Sequence, residues 1–304
     1  MSKISMVPKN EIKCAICGPA ASYSVLYPER ISKKNIDFTS RKVPEKTHYR
    51  IVKCDKCGLT YSNPIFSDEY INQLYRESEF IEEPQLENMV NDYKAELKEI
   101  LPFVKNKQRL LDIGCANGFF LKAALELGFE EVWGVEPNEE AIKKADPEIR
   151  PKIINAVFSE DLFEPEFFDV VCFFHLFDHL TNPNEFLKNV HRVLRKDGLL
   201  LAMNHDSRSL TAKIFGEYSP IFDIEHIFLF DKKTMRMILE KNGFRIIDVK
   251  DIKNNFTIGH SLKIFPWPKG LKWIRRLIPR IPTKLANQNI KVGWWNILSI
   301  AKKF

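Results

Sequence analysis

The sequence predicts an α/β protein: a parallel sheet with helices on both faces, preceded by a small metal-binding module. Three observations carry this reading. From Arg109 onward, short apolar runs alternate with amphipathic stretches, the pattern of repeated strand–helix–strand units. A glycine-rich turn joins the first of these strands to the first helix. Two matched Cys-x-x-Cys-Gly units stand ahead of the series.

The cysteine units, Cys14/Cys17 with Gly18 and Cys54/Cys57 with Gly58, define the N-terminal module. Zn2+ prefers four thiolates in a tetrahedron. Two intervening residues let one tight turn present both sulfurs to the same ion, and the following glycine permits positive φ as the chain leaves the turn. Residues 1–66 therefore read as a zinc ribbon with Cys14, Cys17, Cys54 and Cys57 as ligands. A closed set of four leaves no position for substrate, so the expected role of the zinc is structural. Residues 67–108 read as a helical linker, on the spacing of DEYINQLYRE and NDYKAELKEILPFV.

Residues 109–304 read as the α/β domain. RLLDIGC is a strand, GFFLKAALELG a helix, EVWGVEP a strand and NEEAIKKA a helix. PKIINAVF and FFDVVCFF are strands, and PNEFLKNVHRVLRKDG is an amphipathic helix ending at a glycine. LLLAMNH, RIIDVKDI and WWNILSIAKK complete the strands, with DKKTMRMILEKNGF as a further helix. Cys115 and Cys172 stand alone in apolar segments and read as small core residues.

Composition bounds the function classes. Of 304 residues, 44% are hydrophobic and 28% charged, which fits a globular protein with a sizeable core. The N-terminus lacks the apolar stretch of a secretory signal, and no apolar run reaches the ~18 residues of a membrane span, so the expected compartment is the cytoplasm. The net charge of +6 is unevenly placed. Residues 252–304 hold 11 Lys or Arg and no acid, which leaves 35 basic and 40 acidic residues, a net of −5, in residues 1–251.

The segment Leu110-Leu111-Asp112-Ile113-Gly114-Cys115-Ala116-Asn117-Gly118 is a strand running into a glycine-rich turn and a helix. Such a turn lets backbone N–H groups approach a ligand closely. Glu136 closes the next strand, 18 residues after Gly118, near the ~20 expected of an acid that bonds a ribose hydroxyl. Together they indicate a nucleoside-containing cofactor. A dinucleotide oxidoreductase would show G-x-G-x-x-G, whereas here the spacing is Gly114-x-Ala116-x-Gly118.

In the motifs DIGCANG, GVEP and FDVVCFFHLFDHL, residues 109–252 closely resemble the class I, Rossmann-like S-adenosylmethionine methyltransferases. The resemblance implies that Asp112, Gly114, Cys115 and Gly118 shape the pocket for the methionine part, and that Glu136 binds the ribose hydroxyls. It puts adenine near Val157 and Phe158, and His175 and Leu176 at the methyl-transfer region. Ala116 stands where the family often has glycine. The N-terminal half resembles the zinc ribbons fused to methyltransferases of bacterial surface-sugar and antibiotic-sugar pathways. The deoxysugar C-methyltransferases among them carry a further large C-terminal domain, which a chain of this length does not accommodate.

Methyl transfer to oxygen or carbon needs a base, and histidine is the natural one near neutral pH. His175 and His179 lie in FFHLFDHLTNP, and His205 follows the fifth strand. His226 sits with Asp223 in FDIEHIF, a polar pair between apolar flanks that precedes a helix and suits a lid. Related enzymes often show Asp-x-x-His here, so His226 is the first choice for the base. For each histidine a satisfied structural hydrogen bond is the equally weighted alternative.

The C-terminal region adds a basic amphipathic insertion at about 262–290. Its Trp, Leu and Ile side chains among Lys and Arg suit a helix lying in a membrane interface, and its prolines rule out a spanning one. A solvated basic face packed on the domain is the other reading. The expected reaction is methyl transfer to a small-molecule or saccharide acceptor, lipid-linked if the tail meets an anionic membrane at the inner face. An RNA methyltransferase is the first rival; the acidic body and the sparse Arg/Lys content of the ribbon count against nucleic acid. A non-catalytic zinc-dependent adaptor is the second.

Overall fold

The computed structural model describes residues 8–31, 47–78, 86–265, 267, 273–274 and 276–304. The N-terminal strands are β1 (Lys9–Asn10), β2 (Tyr23–Tyr27), β3 (Ile51–Cys54), β4 (Thr60–Ser62) and β5 (Ile65–Phe66). Helix α1 (Asp68–Arg76) starts at Ser67, whose hydroxyl accepts the N–H of Tyr70, and α2 (Leu86–Ile100) follows.

The main domain then runs β6 (Arg109–Ile113), α3 (Phe119–Glu126), β7 (Glu131–Val135), α4 (Glu139–Lys143), β8 (Ile153–Ile154), β9 (Phe168–Phe174), α5 (Pro183–Val193) and β10 (Leu194–His205). It continues through α6 (Leu210–Phe215), β11 (Phe228–Leu229), α7 (Lys232–Lys241), β12 (Phe244–Thr257), α8 (Ile258–Ile264), α9 (Thr283–Ala286) and β13 (Asn289–Lys303). Seven strands form one sheet in the order β12-β13-β10-β9-β6-β7-β8. The inner pairs are parallel, and β13 runs antiparallel between β10 and β12. This is the doubly wound α/β architecture expected, with an antiparallel edge added.

The sheet buries an apolar layer on each face. One contains Tyr93, Leu97, Ile100, Phe120 and Leu201; the other contains Phe173, Phe177, Phe186 and Phe230 and runs on without a break into Tyr49, Tyr61 and Phe66 of the cysteine module. Helix α2 is held on the first face, where Tyr93 stacks on Phe174 at 4.2 Å between ring centres and Asp92 accepts the N–H of Asn255 at 2.8 Å.

Two elements depart from their sequence pattern. The amphipathic stretch 183–198 is helical only to Val193. The carbonyls of Arg192 and Val193 accept the N–H groups of Glu166 and Phe167, so Leu194 enters β10 beside Phe168 instead of continuing the helix. The stretch 151–158 pairs only at Ile153 and Ile154, at the sheet edge, where Pro151 has no N–H to give a ladder. The α7 stop falls where expected, at Gly243 with φ 84°. Part of the basic insertion, residues 266, 268–272 and 275, lies outside the described residues.

The module is tied into the main domain by backbone. Strand β11, from the segment between α6 and α7, pairs antiparallel with β4 and completes a four-stranded sheet, β11-β4-β3-β2. Tyr61 stacks on Phe228 across this seam at 5.9 Å.

Candidate functional site

The four module cysteines converge. Their sulfurs all lie within 4.8 Å of one another, and Cys14 Sγ and Cys57 Sγ are 3.5 Å apart. Tetrahedral zinc with Zn–S of ~2.3 Å requires sulfurs ~3.8 Å apart, so the set fits that ion. Both turns close as expected: Gly18 N–H bonds Cys14 O at 2.8 Å and Gly58 N–H bonds Cys54 O at 3.0 Å, with φ of 74° and 86° at the glycines. Burial acts to raise the Cys54 thiol, but N–H groups of Cys57 and Lys56 outweigh it and hold it at about 7.

At the C-terminal end of β6, the turn bends through Gly114 at φ 74°, Ala116 at 50° and Gly118 at 72°. Alanine in the left-handed region costs about 1–2 kcal/mol. Glu136 holds it there, because its Oε2 accepts Ala116 N–H at 3.0 Å while its Oε1 accepts Asn138 N–H at 2.8 Å. Burial raises the Glu136 carboxyl against those two bonds. Gly118 serves packing: an added Cβ would lie 2.6 Å from Ile149 Cγ2. Asp112 is buried behind the turn, with Oδ1 lacking a hydrogen-bond partner among the described residues, and burial pushes its carboxyl well up. Cys115 turns into the core beside Gly134.

A cavity of about 950 Å³ opens over this end of the sheet. Gly114, Ala116, Glu136, Val157 and Phe158 border one side of it, and His175, His179, His205, Asp223 and His226 another. Asp112, Cys115 and Gly118 lie behind its wall.

The histidines surround Asp178, which is wholly buried. His205 Nδ1 is 2.6 Å from Asp178 Oδ2, His179 Nε2 is 3.6 Å from Oδ1, and His226 Nε2 is 3.9 Å from Oδ2. Burial alone would raise Asp178; the three imidazoles outweigh it and hold the carboxyl well below its usual range. His179 is pushed down to about 3 by burial, and its Nδ1 meets the Tyr75 hydroxyl at 2.7 Å. His226 Nδ1 lies 2.7 Å from the Ile221 carbonyl, which can only accept, so Nδ1 carries the hydrogen. Nε2 of a neutral His226 is then the lone-pair nitrogen.

The segment carrying His226 is pinned rather than free. Ser62 Oγ bonds His226 O at 2.9 Å, Ser62 N–H bonds Ile227 O at 2.8 Å, and Ile227 N–H bonds Asp178 O at 2.7 Å. The carboxylate nearest the His226 imidazole is thus Asp178; Asp223 reaches His226 through its backbone carbonyl at 3.1 Å. Sequence spacing did not single out Asp178 or Tyr75 for this cluster. The Asp-His pair at 178–179 was the available signal for the first; none existed for the second.

A family model described as a methyltransferase domain matches residues 86–249. A tRNA U34 carboxymethyltransferase of Idiomarina loihiensis is 28% identical over 155 residues, covering 47% of this chain and 47% of that protein. A ubiquinone biosynthesis O-methyltransferase of Caulobacter sp. is 32% identical over 122 residues, covering 36% of this chain and 47% of that protein. The chain spans about half the length of these curated relatives. Two solved structures share the fold, each at a TM-score of 0.50 and 18% identity: a candidate methyltransferase from Bacillus halodurans, over 69% of this chain and 99% of that one, and a Pyrococcus horikoshii protein, over 78% and 100%.

Proposed function

Starting from a chain that belongs to the methyltransferase-domain family and is an S-adenosylmethionine-dependent methyltransferase, we propose that it methylates an oxygen or carbon of a saccharide or similar small polar molecule. The observation that carries this is the single cavity shared by the cofactor turn, Glu136 and the Asp178-centred histidines. Its volume, near the upper end for ligand pockets, suits a nucleoside cofactor and an acceptor together.

In this reading Gly114 and the turn behind it cradle the methionine part, with Asp112, Cys115 and Gly118 fixing the turn's shape. Glu136 accepts from the ribose, and Val157 and Phe158 flank the adenine. When bound, the cofactor supplies an electrophilic sulfonium methyl group. His175 borders the transfer region, and His226 Nε2 would take the acceptor's proton, with S-adenosylhomocysteine as the group left behind when the methyl is transferred. Asp223 holds the turn that aims His226. The remaining wall supports a polyhydroxylated acceptor, because it offers the Asn72 amide and the Asn296 Oδ1, which has no partner among the described residues, beside the rings of Phe256 and Trp295. Arg76 is the only Lys or Arg among the described residues bordering it, a poor match to nucleic-acid phosphates. The four cysteines would hold one structural zinc.

Incubation with methyl-labelled S-adenosylmethionine and either a saccharide fraction or unmodified tRNA tests the acceptor class. Label in the saccharide supports the proposal, and label in the RNA replaces it with the RNA reading. For the cofactor, Glu136→Ala is expected to weaken S-adenosylhomocysteine binding by roughly 1–3 kcal/mol in calorimetric titration, through loss of a charge-assisted bond. Unchanged affinity would mean the ribose lies elsewhere.

A further inference from the structure

Strands β12 and β13 stay paired out to Thr257 and Asn289, whereas β13 leaves β10 at the pair Asn296–His205. The pair therefore projects beyond the sheet as an arm, and Trp295 at its base, with Phe256 and His260 toward its far end, borders the cavity. Helix α6 stands opposite. It turns Thr211 to the cavity and leaves Leu210 and Ile214 42% and 63% exposed. Phe215 of α6 meets Phe265, just after α8, edge to face at 5.4 Å, so the two sides join. The surface continues through exposed Trp273, Leu277, Leu285 and Ile290.

Residues 252–304, which supply most of these side chains, contain basic residues and no acid. Lys213, Lys253, Lys263, Arg276, Arg280, Lys284 and Lys291 are exposed, and among the described residues none has a carboxylate within ion-pair distance. Exposed cations without a carboxylate in ion-pair distance occur elsewhere in the main domain too, as at Lys98, Lys188 and Arg245, so it is the exposed apolar side chains beside them that mark this surface. Unpaired cations beside exposed Trp, Leu and Ile match a bilayer surface, where lipid phosphates meet the former and the acyl boundary the latter. Nucleic acid would use the cations but leave Ile214 and Leu277 without a role.

We infer that this surface docks the enzyme on an anionic membrane, with the cavity mouth at the bilayer, so that the acceptor is a saccharide carried on a lipid. The inference rests on the saccharide reading of the cavity. Because the body carries net negative charge, attraction belongs to this surface alone, and no helix among the described residues is long and apolar enough to cross the membrane.

Co-sedimentation of the full chain with phosphatidylcholine vesicles, with and without phosphatidylglycerol, at low and high salt tests this. Binding is expected only with phosphatidylglycerol and is expected to weaken with salt. Each cation near an anionic leaflet contributes about 1 kcal/mol, roughly five-fold, so Arg276→Glu with Arg280→Glu should lower binding at least about 25-fold. Ile214→Asp, on an exposed position that does not support the core, should lower it separately. No binding at low salt, equal binding to phosphatidylcholine alone, or indifference to Ile214→Asp each overturns the inference. RNA retention without vesicle binding reassigns the surface to nucleic acid. S-adenosylhomocysteine titration on the same preparations keeps the two readings apart: intact cofactor binding without vesicle binding sinks only the membrane surface, and loss of cofactor binding sinks the methyl-transfer site.

Discussion

Cys54→Ser, or exposure to a strong chelator, is expected to remove about one equivalent of zinc and to lower the melting temperature by roughly 10 °C or more. The magnitude follows from two estimates. Loss of a structural metal belongs to the small class of changes that cost more than about 4 kcal/mol. In a chain of this size each kcal/mol moves the midpoint by about 2–4 °C. Damage will not stay local, because Cys54 ends β3, β3 pairs with β4, and β4 holds β11. Ser62 of β4 bonds the backbone of His226 and Ile227 directly. The metal-depleted protein should therefore lose turnover while the turn at Gly114, on the far side of the cavity, still binds S-adenosylhomocysteine. Metal analysis, thermal melting and calorimetry give the three readouts. A Cys54→Ser protein with full zinc and an unchanged melting curve would show that the thiolates do not hold a structural ion.

His226→Ala is expected to reduce turnover by about 10²–10⁴-fold, the usual contribution of a positioned general base. The substitution is clean for a structural reason. The bonds that fix this segment run through the backbone O of His226 and the N–H and O of Ile227, and alanine keeps all three. Only the imidazole goes, with its bond to Ile221 O and its approach to Asp178. S-adenosylhomocysteine affinity should stay within about two-fold of wild type, since Glu136 and Gly114 are untouched. The measurement uses whichever acceptor takes the label. Loss of turnover and cofactor affinity together would assign His226 a structural role instead, and full turnover would move the base to His205.

What the sequence disclosed is what short-range spacing encodes. Two C-x-x-C-G units close the metal set within single turns, and a strand, a glycine turn and an acid on the next strand place Gly114 and Glu136 on one wall. The doubly wound sheet followed from alternating periodicity in the same way. The Asp178 cluster was only half legible, because its members come from four separate segments: Tyr75 meets His179 across 104 positions, and Asp178 meets His205 across 27. No local pattern states such a meeting. The pinning of the segment around His226 was hidden for a similar reason, since the strand that follows it, β11, is fixed by β4. The end of α5 escaped because Leu194 is apolar in either setting, and a long-range pairing with β9 decided between them.

The seam between β4 and β11 also governs when the molecule can finish folding. Ser62 and His226 are 164 residues apart in the chain. At ~5–20 residues per second, a ribosome that has released all four cysteines needs about ten to thirty seconds more before β11 emerges. During that interval β4 is an uncovered strand edge, a template for pairing with another nascent chain. All four cysteines are made early, but the sheet beside them closes late, after β6 to β10 have been made. The strand that covers β4 arrives together with His226, whose backbone β4 then holds.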